Sequence, residues 1–223
     1  DVYKRQFKKE FDVLQTYGEG FIEGNSWNFS FHVPHDVFGM IDLMGGEKTF
    51  VQKLDELFSM HLPEKYYEHN EDITEECLVG GYVHGNEPSH HVAYLYAYAG
   101  EQWKTAEKVR FIMSDFYTDQ PDGIIGNEDC GQMSAWYVMS ALGFYQVSPG
   151  IPVYTLGRPM VNKASMHVKG GIFEIVATNN NPANKYVKEV KLNGKVLETP
   201  FISHSDIING GKLEFIMTDQ PVK

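Results

Sequence analysis

Three short polar segments of this sequence contain the residue types that acid–base chemistry and metal binding require. Residues 23–36 begin with a glutamate close to aromatic residues, residues 84–91 combine one carboxylate, one amide and three imidazoles, and residues 126–136 include two adjacent acids. Each segment contains glycine, which is typical of a loop with unusual backbone angles. Each is also followed by an apolar pattern. The three segments therefore predict loops that place polar side chains at the starts of helices.

Two carboxylates in these segments are expected to have opposite environments. Glu23 follows Phe21 and Ile22 and precedes Trp27, so desolvation would favour the protonated form that a general acid needs. Asp129 precedes a predicted helix, and the N–H groups at a helix start favour the ionised form that a general base needs. Two carboxyl groups held in opposite protonation states suit acid–base hydrolysis. The simpler alternatives are that Glu23 caps a helix or faces water and that Asp129 is a helix cap.

The histidine-rich segment suits a hard cation better than zinc. Glu87 and the carbonyl of Asn86 are oxygen donors of the kind that Ca²⁺ prefers, whereas imidazoles suit zinc or sugar hydroxyls. The spacing matches no zinc motif, because the adjacent His90 and His91 would point about 100° apart on a helix. A zinc hydrolase built on His84, His90 and His91 is therefore the least favoured alternative.

The charge and hydropathy of the chain exclude several classes of function. The net charge is −11, from 30 acidic and 19 basic residues, and such a surface would repel a nucleic acid. No apolar run approaches the roughly 20 residues that a membrane helix requires. The two cysteines, Cys77 and Cys130, are too far apart to form a CxxC motif. The composition favours a folded protein with a neutral substrate, and its many aromatic rings suit both a core and a sugar-stacking surface.

The apolar periodicity changes near residue 145, which predicts two segregated parts in an α+β arrangement. Before this point, helical spacing gives three stripes and one further helix from Pro88 to about Ala99 that stops at Gly100. The stripes are Phe50, Leu54, Leu57 and Phe58; Trp103, Ala106, Val109, Met113 and Phe116; and Met133, Trp136, Tyr137, Ser140 and Ala141.

After residue 150 the period shortens to two, which predicts strands. Asn193–Gly194 predicts a hairpin turn, and Gly210–Gly211 precedes another alternating run. The sequence thus divides into a helical part over residues 7–148 and a small antiparallel β extension over residues 149–223. Residues 1–6 resemble translated adapter sequence rather than native protein.

The polar segments, taken together, resemble glycoside hydrolase family 92. The resemblance is carried by residues 23–27 with 33–36, by residues 84–91, and by residues 126–136 leading to 141–145, and it extends through the β tail to residue 215. It implies a calcium-dependent exo-α-mannosidase that inverts the anomeric centre, with an N-terminal β-sandwich and an (α/α)₆ barrel. By this resemblance the chain is the later part of the barrel followed by its β extension, and the N-terminal domain of the same protein is its missing partner.

The resemblance also implies roles for individual residues. Glu23 matches the general acid and Asp129 the general base, with Asn86 and Glu87 as expected ligands of Ca²⁺. The substrate, a mannose-containing glycan, is expected to be bound by Trp27, His84, Glu87, His90 and Asn127. Some members of the family carry an acid at the position of Asn127. Here the side chain is a neutral amide, so it cannot assist Asp129 with a charge. The family's use of external glycans implies a periplasmic or secreted protein, and the isolated chain is expected to be poorly active.

Two further classes of function remain open at this point. The chain could belong to another (α/α)₆ glycoside hydrolase that acts on glucosides with the same pair of carboxylates. It could also be a carbohydrate-binding or scaffold module that keeps an aromatic surface without catalysis, although such a module needs no acid and base. Aryl-mannoside against aryl-glucoside hydrolysis separates the first alternative from the mannosidase.

Overall fold

The computed structural model describes residues 10–16, 20–21, 23–67 and 74–222. The predicted adapter segment, residues 1–6, and Ile22 lie outside the described residues. The described chain is α+β, with helices in its first part and strands mainly in its second, as the periodicity predicts.

The described residues of the helical part form five α-helices and a short hairpin. The helices are α1 (Ser26–Ser30), α2 (Val37–Leu43), α3 (Glu47–Ser59), α4 (Gln102–Asp115) and α5 (Gln132–Leu142), and the hairpin strands are β1 (Leu78–Val79) and β2 (Tyr82–Val83). Short 3₁₀ helices cover Glu64–Tyr66, Glu75–Cys77, Glu87–Ser89 and Val92–Ala99. The three predicted apolar stripes are confirmed: they lie on α3, α4 and α5, and the central residues Leu54, Val109 and Trp136 are fully buried.

The predicted helix from Pro88 to Ala99 forms in a different way. Two 3₁₀ helices replace it, and Gly100 ends the second in a left-handed conformation with φ of 76°. Almost every residue of Val92–Ala99 is buried, because the segment packs against α2, α3 and α4 at once. A segment that is apolar on every side has no amphipathic pattern. The type of helix that it forms is therefore decided by packing and not by the sequence alone.

The second part contains two sheets and one short helix, α6 (His204–Ile208). The remaining strands are β3 (Phe144–Tyr145), β4 (Val153–Leu156), β5 (Lys163–Val168), β6 (Gly171–Thr178), β7 (Tyr186–Leu192), β8 (Lys195–Val196), β9 (Phe201–Ser203) and β10 (Gly211–Thr218). The three-stranded sheet has the order β3-β4-β9, and the five-stranded sheet has the order β5-β6-β10-β7-β8. Because β3 pairs with β4, the first of these sheets crosses the expected boundary between residues 148 and 149.

The prediction of a purely antiparallel extension is wrong. Strand β10 pairs parallel with β6 and antiparallel with β7, so the five-stranded sheet is mixed. A parallel pair needs a long crossover, and here the chain between β6 and β10 provides it through β7, β8, β9 and α6. The predicted turn at Asn193–Gly194 is confirmed, since both residues have positive φ, at 50° and 81°, and join β7 to β8.

Two backbones meet between the histidine-rich segment and the loop that precedes α5. A Cβ atom built on Gly126 would lie 2.6 Å from the Cα of Gly85, and one on Gly85 would lie 2.9 Å from the Cα of Gly126. Gly126 also has a φ of +64°, a conformation that side chains rarely adopt. Glycine at both positions therefore allows these two segments to touch.

Replacing Gly126 with alanine should destabilise the chain more than the same change at Gly100. Both glycines have positive φ, which costs an alanine about 1–2 kcal/mol, but only Gly126 has backbone atoms in the space of the new methyl group. Overpacking of this kind adds about 1–3 kcal/mol. Urea unfolding followed by circular dichroism measures both variants, and equal losses in Gly126→Ala and Gly100→Ala would show that the contact is not tight.

Candidate active site

A cavity of about 580 Å³ lies where the three predicted polar segments meet. Its walls are formed by Glu23, His32, Pro34, Glu87, Pro88, His90, His91, Asn127, Asp129, Gln132, Tyr145, Gln146, Val147 and Pro149. The residues come from loops that are far apart in sequence, and they converge because the helices behind them pack into one core. The cavity therefore contains both predicted catalytic carboxylates, Glu23 and Asp129, together with three of the predicted substrate-binding residues: Glu87, His90 and Asn127.

Glu23 is held at the start of α1 by a set of asparagines. Asn25 caps the helix by accepting hydrogen bonds from the N–H groups of residues 27 and 28, and the Asn28 side chain bonds back to the N–H of Asn25. The Nδ2 of Asn28 also donates to the carbonyl of Gly81 at 2.7 Å, which fixes α1 against the β1–β2 turn. The Nδ2 of the buried Asn86 donates to Glu23 Oε2 at 3.1 Å. Asn86 thus orients the Glu23 carboxyl group while its own side chain stays out of the cavity wall.

Asp129 lies in a strained loop before α5 and does not cap that helix. Asp129 and Cys130 have φ angles of 53° and 55°, an uncommon conformation for residues other than glycine that often marks functional loops. The side chain of Glu128 takes the capping role instead, because its carboxylate accepts from the N–H of Gly131 and from that of Ser134 at 3.2 Å. Hydrogen bonding to Ser134 and Gly131 lowers the pKa of Glu128. The alternative interpretation of Asp129 as a helix cap is therefore wrong, and Asp129 is left exposed to the cavity.

Glu87 is the carboxyl group whose protonated form is favoured in this cavity. A hydrogen bond with Asp129, partial desolvation and the negative charges of Asp129 and Glu23 raise the pKa of Glu87 to about 7. Two carboxylates in hydrogen-bond contact repel each other unless a proton or a cation lies between them. Near neutral pH, part of the Glu87 population is therefore protonated and can donate that proton in the hydrogen bond to Asp129.

The three histidines are held neutral by burial. His90 Nε2–H donates to the carbonyl of His84 at 3.0 Å, and Gln132 donates to His90 Nδ1 at 3.2 Å. His91 Nε2–H donates to the carbonyl of Phe31 at 2.9 Å. Desolvation lowers the pKa of His90 and of His91 to about 4.

His84 lies behind the cavity and not in its wall. It is fully buried, with Tyr82 and Tyr117 hydroxyls at 2.8 Å from its Nδ1 and Nε2 atoms. Because the Tyr117 hydroxyl also donates to the Met133 carbonyl, it accepts from His84 Nε2–H. Burial lowers the pKa of His84 well below its usual range. His84 therefore supports His90 through its backbone carbonyl and does not face the space a substrate would occupy.

Trp27 also lies outside the cavity. It lines a separate groove with Phe31, Leu43 and Lys53, and the Lys53 ammonium is 6.0 Å from its ring centroid. Trp27 is the second residue of α1, and its ring packs on the apolar core. The sequence shows that Trp27 lies close to Glu23 along the chain. It does not show in which direction the Trp27 side chain points from α1.

Sequence reasoning missed several residues of the cavity wall. Gln132 begins α5 and contacts His90, and Tyr145 and Gln146 follow the same helix through β3. Gln132 and Tyr145 lie within the segments 126–136 and 141–145 that carry the family resemblance, and this was the only signal for them. No pattern in the sequence marks Gln146, because the turn of the chain after α5 brings it to the cavity.

The donors in the cavity fit a hard cation in part. Oxygen atoms of Glu87 and Asp129 face the cavity, and a divalent ion could lie between these two carboxylates. The expected ligand Asn86 does not line the cavity, and its backbone carbonyl accepts from the N–H of Ser89 at 3.0 Å. Among the described residues, however, no three His, Cys, Asp or Glu side chains are arranged as a ready metal site. The imidazoles of His84, His90 and His91 are engaged in hydrogen bonds, which leaves carboxylate and carbonyl oxygens as the donor set.

The sequence profile of the glycosyl hydrolase family 92 catalytic domain matches residues 3–219. The chain belongs to glycoside hydrolase family 92. The match runs through both the helical part and the sheets, so both are covered by the catalytic-domain profile of this family.

Proteins of known structure in this family have the same fold over almost the whole chain. The family 92 α-mannosidase BT3965 from Bacteroides thetaiotaomicron is 38% identical, with a TM-score of 0.86 over 98% of this chain and 28% of its own. The inverting mannosidase BT2199 from the same organism is 36% identical, with a TM-score of 0.84 over 98% of this chain and 30% of its own. An uncharacterised secreted glycosidase from Arthroderma benhamiae is 31% identical over 93% of this chain and 25% of its own length.

The chain thus spans between a quarter and a third of the relatives that it matches. No helix in the described part of the chain is both long and apolar enough to cross a lipid bilayer.

The neutral histidines should make the stability of the chain depend on pH in the acid range. Because the pKa of His91 is about 4 when folded and about 6.5 when unfolded, its contribution is present above pH 6.5 and is lost as the pH falls towards 4. The expected slope from this residue is about 1.4 kcal/mol per pH unit.

Urea unfolding at several pH values measures this slope. His91→Gln keeps a donor for the Phe31 carbonyl and removes the titration, so its stability should fall less steeply than that of the wild type between pH 6.5 and 4. His61→Gln, at an exposed position, is the control. Parallel curves for wild type and His91→Gln would contradict the assignment.

Proposed function

We propose that this chain supplies the catalytic carboxylates of an exo-acting α-mannosidase that hydrolyses terminal α-mannosides with inversion. The observation that supports this most is the convergence of Glu23, Glu87 and Asp129 on one cavity from three separate loops. The substrates would be N-glycans or mannans with α-1,2-linked terminal mannose. The similarity to BT3965 and BT2199, which are described as an α-mannosidase and an inverting mannosidase, supports the same activity.

In this proposal Glu23 is the general acid. The amide of Asn86 donates to Glu23 Oε2, which leaves the other oxygen as the site of the proton that is delivered to the leaving group. This hydrogen bond fixes the direction of the Glu23 carboxyl group. Asn86 is itself buried at 3% exposure, so this orientation would be rigid.

Asp129 is the general base. Its side chain is exposed to the cavity. The N–H groups at the start of α5 donate to the carboxylate of Glu128, so they do not bind the carboxylate of Asp129. An inverting enzyme needs room for a water molecule between the base and the sugar, with its two carboxyl groups about 6.5–9.5 Å apart. Asn127 lines the same cavity and would bind hydroxyl groups of the mannose. His90 also lines it, but both of its ring nitrogens are already bonded, to the His84 carbonyl and to Gln132, so it would contact the sugar through its ring. His90, held neutral with its Nδ1 directed to Gln132, contributes no charge to the site.

Ca²⁺ would be held by Glu87 and the carbonyl of Asn86. When bound, it would coordinate mannose hydroxyls and stabilise a distorted ring. Glu87 would then be ionised, because the positive charge of the ion would lower the raised pKa of this carboxyl group.

The proposal extends to the surroundings of the site. The helices α1–α5 would form the later part of an (α/α)₆ barrel, and the sheets would pack against it as an extension. The rest of the barrel and an N-terminal domain would come from the longer protein. The isolated chain would accordingly be poorly active, and the complete protein would act on glycans in the periplasm or outside the cell.

The stereochemical outcome tests the mechanism in the complete protein. Proton NMR of an α-mannoside digest should show β-mannose first, and chelation of calcium should abolish the release of sugar. The same assay with an α-glucoside separates a glucosidase from a mannosidase. If α-mannose forms first, or if chelation changes nothing, the assigned mechanism is wrong.

Substitutions separate the proposed acid from the proposed metal ligand. Glu23→Gln should lower kcat on a natural glycan by about 10²–10⁴-fold, but much less on an aryl mannoside whose leaving group needs no proton. Asp129→Asn should lower kcat by about the same factor on both substrates, because both need the activated water. Glu87→Gln should also lower activity on both, with partial recovery at high calcium concentration.

If Glu87→Gln, and not Glu23→Gln, loses activity on the natural glycan alone, the acid is Glu87. The raised pKa of Glu87 is the observation that makes this second assignment worth testing. Glu128→Gln is the matched control, because it changes a neighbouring carboxylate that bonds to the helix start and not to the cavity.

A further inference from the structure

Gln132 lines the candidate active-site cavity but has no part in the mechanism proposed above. It is the first residue of α5, and its backbone N–H donates to the carbonyl of Asp129 at 3.2 Å. This bond closes the strained loop between the two residues into a turn. Both side chains line the cavity, so the amide group of Gln132 lies in the same region as the carboxylate of Asp129.

The hydrogen bonds around His90 fix which end of the Gln132 amide group is free. The carbonyl of His84 can only accept, so the Nε2 atom of His90, at 3.0 Å from it, carries the ring proton. Burial lowers the pKa of His90 to about 4, and a neutral imidazole has a single N–H group. Nδ1 of His90 is therefore an acceptor, and the atom of Gln132 at 3.2 Å from it is the donating Nε2.

This order of donors leaves the Oε1 atom of Gln132 as a free acceptor. Oε1 makes no hydrogen bond with the described residues, and the side chain is exposed to the cavity. Turning the amide group over would place an oxygen against the lone pair of His90 Nδ1, so the reversed orientation is disfavoured. The buried carbonyl of His84 thus decides, through the ring of His90, that Gln132 offers an acceptor to the cavity.

The carboxylate of Asp129 lies near the same imidazole. Its negative charge raises the pKa of His90, against the larger effect of burial. His90 itself has no acceptor left, because both of its ring nitrogens are bonded. Around His90, the cavity therefore has one carboxylate, that of Asp129, and one neutral amide oxygen, that of Gln132.

This pair of acceptors suits the water molecule that hydrolysis with inversion consumes. One O–H group of the water loses its proton to the general base during the attack. The second O–H group stays on the product as the new anomeric hydroxyl. Its acceptor must orient the water without taking the proton, and an amide oxygen, which is neutral and not basic, meets this requirement.

We propose that Gln132 is a further catalytic residue, whose Oε1 atom accepts a hydrogen bond from the attacking water molecule. This inference rests on the proposed function, because it takes Asp129 as the base. The water oxygen forms a bond to the anomeric carbon while one water proton passes to Asp129. The bond from the anomeric carbon to the glycosidic oxygen breaks, and that oxygen leaves with the proton of Glu23. The proton directed to Gln132 remains on β-mannose.

Competition between water and methanol tests this role in the complete protein. Methanol has one O–H group for Asp129 and a methyl group in place of the second O–H group of water, so it needs no acceptor at Gln132. In Gln132→Met, the ratio of methyl β-mannoside to mannose formed from an aryl α-mannoside in aqueous methanol should rise about tenfold over the wild type, which corresponds to the loss of a hydrogen bond of about 1.4 kcal/mol. Proton NMR measures both products.

A second variant separates the contact with water from the contact with His90. An ionised carboxylate in Gln132→Glu keeps an acceptor oxygen but has no donor for His90 Nδ1, so the ratio should stay near that of the wild type. Because Gln132 is exposed, both variants should keep the wild-type melting temperature.

Gln146→Met is the matched control. Gln146 lines the same cavity, but its amide nitrogen donates to the carbonyl of Ile151 at 2.9 Å, away from His90. Whatever this change does to kcat/KM, it should not change the ratio of the two products.

The outcomes separate this inference from the proposed function. If the wild type releases mannose but Gln132→Met keeps its product ratio, only the role of Gln132 is overturned. An equal rise in Gln132→Glu also overturns it, because the bond to His90 would then be the cause, and so does an equal rise in Gln146→Met, which would reflect the polarity of the cavity alone. If the wild type releases no mannose, or α-mannose first, the proposed function fails and this role fails with it.

Discussion

The contact between the backbones of Gly85 and Gly126 sets the distance between the two loops that carry the acidic groups of the cavity. Glu87 follows the first glycine by two residues, and Asp129 follows the second by three. Since a single methyl group at either position would overlap backbone atoms, the loops could not approach this closely with any other residue. The hydrogen bond between Glu87 and Asp129 depends on that approach, and so does the raised pKa of Glu87.

The cavity combines negative charge with neutral imidazoles, and these two features have a common origin in burial. The segment that carries His84, His90 and His91 lies against the fully buried Trp136 of the helical core. Desolvation keeps the imidazoles uncharged, so they do not neutralise the carboxylates beside them. The excess negative charge is left for a proton or a cation to balance, which is the electrostatic reason for expecting a hard metal ion here.

Helix α5 connects the candidate active site to the two sheets. The helix begins beside Asp129 and ends at Gly143, where a Cβ atom would lie 2.9 Å from the Phe215 ring of the central strand β10. Directly after that glycine, β3 enters the three-stranded sheet, and Tyr145, Gln146, Val147 and Pro149 line the cavity. The segment that connects α5 to the later strands therefore forms part of the cavity wall.

Local patterns in the sequence were sufficient to predict the features that depend on neighbouring residues. The stripes on α3, α4 and α5 follow from the helical period, and the Asn193–Gly194 turn follows from the positive φ angles that these residues tolerate. The grouping of Glu23, Glu87 and Asp129 as acidic site residues came from contiguous motifs and their resemblance to the family, and the cavity contains all three.

Contacts between distant segments decided the rest. The neighbouring sequence does not show whether Glu128 or Asp129 bonds to the start of α5. The strained conformation of the loop sets the direction of both side chains. The burial of His84 and the exclusion of Trp27 from the cavity depend on which core residues lie behind them. The parallel pairing of β10 with β6 depends on a crossover of more than thirty residues. Sequence alone determined which residues have the chemistry for this site, and the tertiary structure decided which of them face the cavity, because side-chain direction is fixed by packing partners that are remote in the chain.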